Sequence, residues 1–488
     1  MTINAFCIHA HFYQPPREDP LTGVVPQESG AVPFPNWNER IHAECYRPNA
    51  ELGNFNRISF NIGPTLNQWL VAQNPKTLSM IARQDRANAD RHGVGNAIAQ
   101  AYNHTILPLA SHRDKVTQVA WGIAEFEFRF GRKPQGMWLP ETAVDQDTLA
   151  ILADQGIQFT ILAPWQADQA DLDTSEPYRV DLPEGRSIVV FFYNQDLSGG
   201  ISFDPSLTVN ADQFAASVLA PHFQTEKSRR GEPQILMLAS DGELYGHHQP
   251  QRDLFLSHLL NGAGLSSGLT STYPGLWLNN HPVRRTVGIQ ENTSWSCHHG
   301  VGRWLGTCPC TPGAGSVSAG GTLSREGNWK AHLRYAFECL TEAIDELYYS
   351  ALREVISDPW SLRDNYIHVI LGQLSAADLV TQAAGRRISE EKTVQARLLL
   401  EAQRERQRMY TSCGWFFDDF DRIEPRNNLA YAAQALRLTR LATGHDLEPY
   451  ALQSLARVVS PRTGLRADSV FHYHMQRLVN DGRILAGD

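Results

Sequence analysis

The sequence has no apolar stretch that approaches the ~20 residues of a membrane-spanning helix. Its N-terminus, MTINAFCIHAHFYQ, also lacks the basic region followed by an apolar core that marks a secretory signal. Charged residues make up only 19% of the 488 residues, the formal net charge is −9, and there is no Lys/Arg run to meet nucleic-acid phosphates. These absences predict a cytoplasmic protein that binds neither membranes nor nucleic acids, and they favour a neutral ligand.

Cysteine is also sparse, with seven residues in the chain. An odd number, with Cys7 on a predicted buried strand, favours free thiols and a reducing compartment over a disulfide framework. Apolar residues are plentiful at 42%, which is enough for a sizeable core. The eleven Trp and fifteen Tyr are numerous, and aromatic faces suit stacking on sugar rings, although we expect most of them in the core.

Short apolar runs that are typical of buried parallel strands recur along the first half of the chain. They lie at residues 5–10, 57–63, 95–103, 136–139, 159–163, 187–193 and 235–240. Helical spacing occurs between them at 65–83, 112–130 and 146–155. This alternation predicts an α/β fold, and the number of runs is close to that of a barrel built from strand–helix units.

The chain is too long for one ordinary domain, although an α/β barrel alone uses about 250 residues or more. A long connection rich in Pro and aromatics at 15–49 is of the kind that carries function or covers a site. Residues 300–321 are dense in Gly, Ser and Pro and read as a loop that could act as a lid. Long helical patterns follow. We therefore predict a catalytic barrel domain over 1–325 and a mainly α-helical domain over 326–488.

Acidic residues follow two of the predicted strands at the point where each strand ends. The run at 136–139 stops at Pro140 and is followed by Glu141, and the run at 235–240 is followed by Asp241 and Glu243. Active sites of α/β barrels are assembled from the C-terminal ends of parallel strands, so these acids are predicted to share one pocket. The alternative is that Glu141 only caps the helix after it.

Histidines occupy similar positions. His9 and His11 lie two apart on the first predicted strand, so both side chains project to one face, where they could bind sugar hydroxyls or a metal. His104 ends the third run in the same way. We expect the three histidines to surround the opening of one pocket.

The motifs HAHFYQPP, NHTILPL, MWLPE and SDGELYGHH, in this order and spacing, resemble the motif series of glycoside hydrolase family 57, over about residues 1 to 300. The C-terminal part, with SWSCHHGVGRW and SCGWFFDDFDRIEP, is similar to a subgroup whose helical extension has no assigned role. The resemblance implies an incomplete (β/α)7 barrel and a retaining enzyme that acts on α-linked glucans or oligosaccharides. It leaves open whether the enzyme hydrolyses, transfers or branches.

The resemblance also implies roles for two residues, with Glu141 as nucleophile and Asp241 as general acid/base. A retaining mechanism needs carboxyls about 5 to 5.5 Å apart, and Asp241 must keep its proton through burial or through the charge of Glu141. If the chain turns after Asp241, we expect Glu243 to orient a histidine or bind a hydroxyl. Two departures from the common family pattern, Phe12 with Tyr13 inserted after His11 and Thr142 after Glu141, concern the sugar subsites rather than the reacting groups.

The substrate-binding candidates are the polar and aromatic residues of these motifs and of the SWSCHH stretch. They comprise His9, His11, His104, Trp138, Glu243, Tyr245, His247 and Trp295, with His248 as a further candidate. The alternative for each aromatic residue is a place in the core. We predict no cofactor, and no metal at the two carboxyls, because a divalent cation there would oppose the positive charge of an oxocarbenium-like transition state.

A second cluster contains Cys297, His298, His299, Cys308 and Cys310. Its spacing is not the paired C-x-x-C of a typical zinc site, so we interpret it as a Cys-containing loop, with a structural zinc as the open alternative. Two other functions stay open. One is a metal-dependent polysaccharide hydrolase or deacetylase on a related barrel, with His9, His11 and His104 or Asp241 as ligands, and the other is a glycan-binding protein without activity.

Overall fold

The computed structural model describes residues 4–306, 308–310 and 328–480. The chain divides into two compact units. The first comprises Met1–Gln14, Gln27–Tyr102 and Glu125–Trp295, and the second comprises Pro15–Pro26, Asn103–Ala124 and Ser296–Asp488. The domain boundary predicted between residues 325 and 326 lies outside the described residues, as does the predicted lid apart from residues 300–306 and 308–310. No helix among the described residues combines the length and apolarity needed to cross a membrane.

All strands found in the described residues belong to the first unit. They are β1 Asn4–Phe12, β2 Ser59–Ile62, β3 Ala99–Gln100, β4 Met137–Trp138, β5 Phe159–Leu162, β6 Tyr178–Asp181, β7 Ser187–Phe192, β8 Gln234–Asp241, β9 Thr270–Ser271 and β10 Arg285–Thr286. Each of the seven predicted runs overlaps one of them, which confirms those predictions. The sequence analysis missed β6, β9 and β10. In β6 buried and exposed residues alternate, and β9 and β10 consist of polar residues that are exposed or half-buried, so none of them forms an apolar run.

Parallel pairing links seven of the strands in one succession. β1 pairs in parallel with β2 and with β8, β3 with β4, and β5 with β7. Parallel bridges from Phe60 to Ala97 and from Gly136 to Phe159 connect these pairs. The resulting order is β8, β1, β2, β3, β4, β5, β7, and the Asn194 N–H beyond β7 donates to the Met237 carbonyl of β8 at 2.7 Å. β6 pairs with β7 in the antiparallel sense.

The core of the first unit is built on these strands. Its buried side chains include Cys7 of β1, Trp138 of β4, Ile161 of β5, Phe191 of β7 and Met237 of β8. Strands of a parallel sheet are buried on both faces and therefore consist of nearly continuous apolar residues. This is why each of the seven could be recognised from a short apolar run.

Helices connect the strands of the first unit. They are α1 Trp37–Ile41, α2 Arg47–Glu51, α3 Pro64–Gln73, α4 Pro75–His92, α5 His112–Phe130, α6 Gln146–Asp154, α7 Gln195–Phe203, α8 Ala211–Gln213, α9 Thr225–Arg230, α10 Arg252–His258, α11 Gly264–Ser266 and α12 Pro274–Asn280. The first residues of α5, up to Ala124, belong to the second unit. Short 3-10 helices and the π-helices His42–Tyr46, Phe214–Leu219 and Leu259–Ala263 complete the connections.

Three helix predictions can be compared with these bounds. The helix predicted at 112–130 is confirmed as α5, and α6 is confirmed with Asp145 as its cap, which accepts the Thr148 N–H at 2.8 Å. The pattern at 65–83 is two helices, because Pro75 keeps the preceding Asn74 out of the helical region at φ −139° and ψ 53°. The connection at 15–49 is not irregular throughout, since α1, a π-helix and α2 follow one another from residue 37 to 51.

The second unit is mainly helical. Its described helices are α13 Gly302–Leu305, α14 Trp329–Leu352, α15 Pro359–Asn365, α16 Ile367–Ile370, α17 Ala376–Ala384, α18 Glu390–Arg408, α19 Cys413–Phe416, α20 Ile423–Thr443, α21 Glu448–Leu455 and α22 Ala467–Asn480. The long helical patterns predicted for this part of the chain are confirmed, with α14 and α18 among the helices. The observed fold is therefore mixed helix and sheet with a large helical C-terminal region.

A buried ion network lies inside the second unit. Asp114 of α5 accepts from Arg406 Nη1 at 2.6 Å and lies 3.0 Å from Arg363 Nη1, while Asp345 accepts from Arg406 Nη2 at 2.6 Å. Burial by itself would raise the pKa of Asp114, but Arg406 and Arg363 hold it well below its usual range. Each buried charge in the network thus has a partner of opposite sign.

Candidate active site

Asp241 is the last residue of β8, where it pairs in register with His11 of β1. Asp241 is exposed to solvent, although many protein atoms surround its carboxyl group. Burial raises the pKa of Asp241 to about 7, and the negative charge of Glu141 contributes to the same shift. Asp241 can therefore hold a proton close to neutral pH, which an ordinary aspartate does not.

Glu141 lies in a tight turn, Pro140–Thr142, directly after β4. Its φ is 57° and that of Thr142 is 47°, so two successive non-glycine residues adopt the left-handed conformation. Each such residue costs about 1–2 kcal/mol. Strain of this kind persists only where the surroundings impose it.

Gln166 and Trp295 impose this turn. The Thr142 hydroxyl donates to Gln166 Oε1 at 2.8 Å, and Gln166 Nε2 donates to the Thr142 carbonyl at 2.8 Å. The Trp295 N–H donates to the Glu141 carbonyl at 3.0 Å, and Trp295 Nε1 donates to Glu141 Oε2, also at 3.0 Å. The carboxylate is thereby fixed through one oxygen. Thr142, a departure from the common family pattern, serves to hold the backbone here.

Glu243 follows Asp241 after a turn, because the chain leaves the strand in the 3-10 helix Gly242–Leu244. Its buried carboxylate accepts the Tyr46 hydroxyl at 2.7 Å and the Tyr13 N–H at 3.1 Å. Burial raises the pKa of Glu243 to about 8, against the opposing effect of the Tyr46 hydrogen bond and with a further increase from Asp241. Glu243 therefore ties β8 to the residues that follow β1.

Gly242 is required by packing. A Cβ atom at this position would lie 2.3 Å from Cδ1 of Phe12, far inside van der Waals contact. The Phe12 ring, which the common family pattern lacks, therefore fills the space beside the turn that separates Asp241 from Glu243.

The two histidines of β1 stack on one tryptophan. The ring of Trp138 lies 4.8 Å from that of His9 and 5.0 Å from that of His11, and Trp295 meets Trp138 edge-on at 5.0 Å. Trp138 and His9 are fully buried, whereas Trp295 is half-buried. Of this aromatic group, Trp295 and His11 thus retain the most exposed surface, with His11 at 5%.

Asn61 of β2 connects the histidines. Its Oδ1 lies 3.2 Å from His9 Nε2, and its Nδ2 lies 2.9 Å from His11 Nδ1, while His9 Nδ1 lies 2.9 Å from Ser59 Oγ. Burial lowers the pKa of His9 to about 3, helped by His11, and lowers the pKa of His11 to about 4. Both imidazoles are therefore neutral at physiological pH. Because both ring nitrogens of His9 are engaged by Ser59 and Asn61, His9 is poorly placed to bind a metal.

Tyr245, His247 and His104 have other surroundings. Tyr245 is buried, with its hydroxyl 3.3 Å from Ser240 Oγ, and His247 Nδ1 lies 2.5 Å from Glu44 Oε2. His104 belongs to the second unit, where its Nδ1 lies 2.7 Å from Ser412 Oγ. Its place beside His9 and His11 stays a prediction.

The sequence analysis did not single out three residues that hold this site together: Tyr46, Asn61 and Gln166. A signal was present for Asn61, because Ser59 and Asn61 are polar residues at alternate positions of an apolar run and so share one face of the strand. Nothing in the local sequence relates Tyr46 to Glu243, which is 197 residues away.

Metal-binding side chains gather at one place in the part of the chain that the structure describes, and this place is in the second unit. The ligand atoms of Cys297, His299, Cys308 and Cys310 all lie within 4.8 Å of one another. All seven cysteines are free thiols, as predicted.

Comparison with known proteins places the chain in a family. Residues 8–264, more than half of the chain, match the model of glycosyl hydrolase family 57, and the chain therefore belongs to this family. Residues 326–477 match a second model, a domain of unknown function (DUF3536). The resemblance inferred from the motifs is confirmed.

Individual relatives are distant. The chain is 26% identical to alpha-amylase 1 of Dictyoglomus thermophilum over 193 residues, which are 39% of this chain but only 26% of that protein. The structure is similar to that of an exo-type maltose-forming amylase from Pyrococcus sp. ST04, with a TM-score of 0.72, 16% identity, and coverage of 96% of this chain and 88% of the other. A branching enzyme of the same family from Pyrococcus horikoshii gives a TM-score of 0.60 at 17% identity, with coverage of 99% and 97%.

Proposed function

We propose that this protein is a retaining glycoside hydrolase or glucanotransferase that acts on α-linked glucans or oligosaccharides, with Glu141 as nucleophile and Asp241 as general acid/base. The observation that carries the proposal is the position of the two acids: Asp241 is the last residue of β8, Glu141 lies in the turn after β4, and the charge of Glu141 contributes to a pKa of Asp241 raised to about 7. Two carboxyls that influence each other, one protonated and one charged, are the pair that a retaining mechanism uses.

The first step uses the two groups together. The Glu141 carboxylate attacks the anomeric carbon and forms a glycosyl-enzyme ester, while Asp241 gives its proton to the departing glycosidic oxygen. In the second step the Asp241 carboxylate takes a proton from the incoming hydroxyl, which attacks the same carbon and releases Glu141. Because Trp295 and Gln166 fix the Glu141 turn before substrate arrives, little reorganisation is needed at the moment of attack.

The neutral groups around the carboxyls support this chemistry. A positively charged histidine next to Asp241 would lower the pKa of the acid, and the low pKa values of His9 and His11 prevent this at working pH. We assign substrate contact to His11 and Trp295, which retain exposed surface, and a positioning role to His9 and Trp138, which are fully buried.

We also propose that the first unit is an incomplete (β/α)7 barrel. The parallel order β8, β1, β2, β3, β4, β5, β7 supports it, together with the hydrogen bond from Asn194 to Met237. The proposed domains, 1–325 and 326–488, are supported by the separate family matches at 8–264 and 326–477, whereas the compact units divide the chain between Trp295 and Ser296 and assign residues 15–26 and 103–124 to the second unit.

The names of the relatives support the substrate class, since they are amylases and a branching enzyme. Hydrolysis, transfer and branching share the glycosyl-enzyme and differ in whether water or a sugar hydroxyl attacks it. The test is therefore to incubate the protein with maltooligosaccharides and with amylose and to separate the products by chromatography. Shorter chains indicate hydrolysis, a mixture of longer and shorter chains indicates transfer, and new branch points indicate branching.

Variants test the assigned roles. Azide should restore turnover of an activated glycoside by Glu141→Ala and give a glycosyl azide of inverted configuration, because azide takes the place of the missing nucleophile. The same treatment of Asp241→Ala should give the retained configuration, because azide then attacks the glycosyl-enzyme. If the two variants give the opposite configurations, the roles of Glu141 and Asp241 are reversed.

Two results would favour the other functions. Glucan binding without turnover by the wild type would favour a binding protein. Turnover lost on chelation at unchanged melting temperature, and restored by zinc, would favour a metal-dependent hydrolase.

A further inference from the structure

The segment from Cys297 to Cys310 brings three thiols and an imidazole to one point in the second unit. Cys297 Sγ lies 3.5 Å from Cys308 Sγ, and His299 Nδ1 lies 3.4 Å from Cys308 Sγ and 3.3 Å from Cys310 Sγ. Cys297 and Cys308 are buried, Cys310 is half-buried and His299 is exposed. The family match at 8–264 and the domain match at 326–477 both leave this segment out.

These distances suit one tetrahedral ion. With Zn–S bonds of about 2.3 Å and Zn–N bonds of about 2.05 Å, tetrahedral angles separate two sulfur ligands by about 3.8 Å and a sulfur from a nitrogen by about 3.6 Å. The three separations above fall slightly below these values, and no pair of the four ligand atoms exceeds 4.8 Å. Three cysteines and one histidine are also one of the ligand sets of structural zinc sites.

The chain around the four ligands is held in place by its own contacts. Arg303, in the middle of the segment, donates from Nη2 to the Ser296 carbonyl at 2.6 Å and to the Cys310 carbonyl at 2.5 Å, so it ties the two ends together. Its guanidinium carbon lies 4.3 Å from the centre of the Phe416 ring. Lys330 and Arg334 of α14 donate to the carbonyls of Arg303 and Trp304 at 2.9 Å each. The segment is therefore fastened to α14.

Charge favours a divalent ion at this point. Three thiolates and one neutral imidazole around Zn²⁺ carry a net charge of −1, and the basic side chains of Arg303 and Lys330 are buried in the same segment and its contact with α14. The net charge of such a site is therefore opposite in sign to the Arg303 guanidinium, which is buried between the two ends of the segment.

We propose that Cys297, His299, Cys308 and Cys310 form a structural zinc site, with three thiolate ligands and His299 bound through Nδ1. On binding, each of the three thiols gives its proton to solvent and its sulfur becomes a ligand, so no oxidant or reductant is needed. The ion cross-links the two ends of the segment that follows Trp295, and the site acts on stability. It is a site outside the proposed carboxyl pair, and its test does not depend on glycoside turnover.

The nearest alternative is a disulfide between Cys297 and Cys308. Their sulfurs are 3.5 Å apart, whereas a disulfide requires about 2.05 Å. A disulfide would also not account for Cys310 and His299, which complete the cluster. The two accounts differ in the number of reactive thiols and in metal content.

The experiment measures metal in the protein purified without chelators and without a histidine tag. Elemental analysis should give about one zinc per chain for the wild type. The variants Cys308→Ser and Cys310→Ser should lose it, whereas Cys339→Ser, a half-buried cysteine of α14 outside the cluster, should retain it. Cobalt exchanged into the wild type should give the intense visible bands of tetrahedral thiolate coordination, and these bands should weaken in His299→Ala.

Several results would overturn the proposal. Wild-type protein without a stoichiometric metal, whose seven thiols all react under denaturing conditions, would show that the cluster is a reduced loop. Five reactive thiols without metal would show the disulfide. Zinc lost equally from Cys339→Ser would place the ion elsewhere. Since the wild-type measurement decides the first two cases, poor folding of a ligand variant does not leave the proposal untested.

Discussion

The polar centres of the two units differ in the charge of their titratable groups, which are neutral in the first unit and charged in the second. In the first unit, burial shifts the pKa values of Asp241 and Glu243 up to about 7 and about 8, and those of His9 and His11 down to about 3 and about 4. Each shift favours the neutral form of the group. In the second unit, Asp114 stays charged because Arg406 and Arg363 lie against it, and its pKa falls well below its usual range.

The difference follows from what each centre contains. Hydrogen-bond partners of the first centre are hydroxyls, amides and an indole, which orient a group but do not neutralise a charge, as Tyr46, Asn61 and Trp295 show. The second centre contains guanidinium groups, which do both. A protein can thus keep protons available at neutral pH in one place and keep permanent ion pairs in another, from the same types of acidic residue.

Among the substitutions in the polar centre of the first unit, Glu141→Gln should cause the largest loss of activity. The substitution is nearly isosteric and leaves a side-chain oxygen to accept from Trp295, but it removes the attacking carboxylate, so turnover should fall by several orders of magnitude at unchanged melting temperature. Turnover is measured on maltooligosaccharides and on an aryl glycoside. Retention of more than about a tenth of the activity, a barrier change of only ~1.4 kcal/mol, would contradict the nucleophile assignment.

The substitution Asp241→Asn removes the acidic proton that the Asp241 carboxyl group would donate to the leaving oxygen. We expect a loss of about 10²–10⁴-fold on substrates with poor leaving groups, the usual contribution of general acid catalysis, and a much smaller loss of the first step on activated aryl glycosides. In the wild type, the activity limb governed by this group should decline as pH rises through about 7, and the limb should be absent from the variant. Equal losses on both kinds of substrate would indicate that Asp241 only positions the sugar.

The ion network of the second unit is broken by Asp114→Asn. Arg406 and Arg363 would then lose the carboxylate that compensates them, and breaking a buried pair typically costs about 3–5 kcal/mol. Chemical denaturation measures the free energy of unfolding. The control is Asp446→Asn in the exposed pair with Arg440, where about 0–1 kcal/mol is expected. Similar values for both variants would mean that the buried network contributes no more than a surface pair.

The smallest expected effect is a pH dependence of stability that belongs to the first unit. The folded-state pKa values of Asp241 and Glu243 are raised, so the stability linked to their protons is present at acidic pH and is lost as pH rises through about 7 to 8. For His9 and His11 the folded values are depressed, so their contribution is lost as pH falls from about 6.5 toward 4.

Melting temperatures measured from pH 5 to pH 9 test this dependence. Between about pH 5 and pH 8, wild-type protein should lose stability with rising pH relative to the double variant Asp241→Asn, Glu243→Gln, whose side chains do not titrate, and this difference should level off above about pH 8. Asp114 contributes no such slope in this range, because its pKa is depressed and its stability is lost only at acid pH. Parallel curves for wild type and double variant would contradict the assigned shifts.

Some of this arrangement could be predicted from the sequence, and the reasons are physical. Strand ends were visible because the strands are apolar on both faces, and the acids Glu141 and Asp241 were visible because each breaks such a run. Asp145, the cap of α6, lies three residues before the N–H group that it accepts. These features depend on neighbours within a few residues, which a single sequence displays.

The other features depend on distant pairs. The left-handed turn at Glu141 and Thr142 is held by Gln166 and Trp295, and Glu243 is held by Tyr46 from within the connection between β1 and β2. The Cys and His residues of the proposed zinc site were noted in the sequence. Their spacing, Cys297-x-His299 and Cys308-x-Cys310, differs from the C-x-x-C spacing by which a typical zinc site is recognised. Only the folded chain shows that the two pairs face each other.

The pairing of β1 with β8 has a consequence for changes of chain length. Their register runs from Asn4 with Gln234 to His11 with Asp241, without a bulge. Because side chains alternate between the two faces of a strand, an insertion of a single residue within either strand would turn His9 and His11, or Asp241, toward the opposite face. A substitution along these strands changes only the position that it occupies, whereas a single-residue insertion or deletion changes the face of every residue beyond it. During divergence, and in any engineered fusion, added residues should therefore be accommodated in the connections, while the lengths of β1 and β8 stay constant.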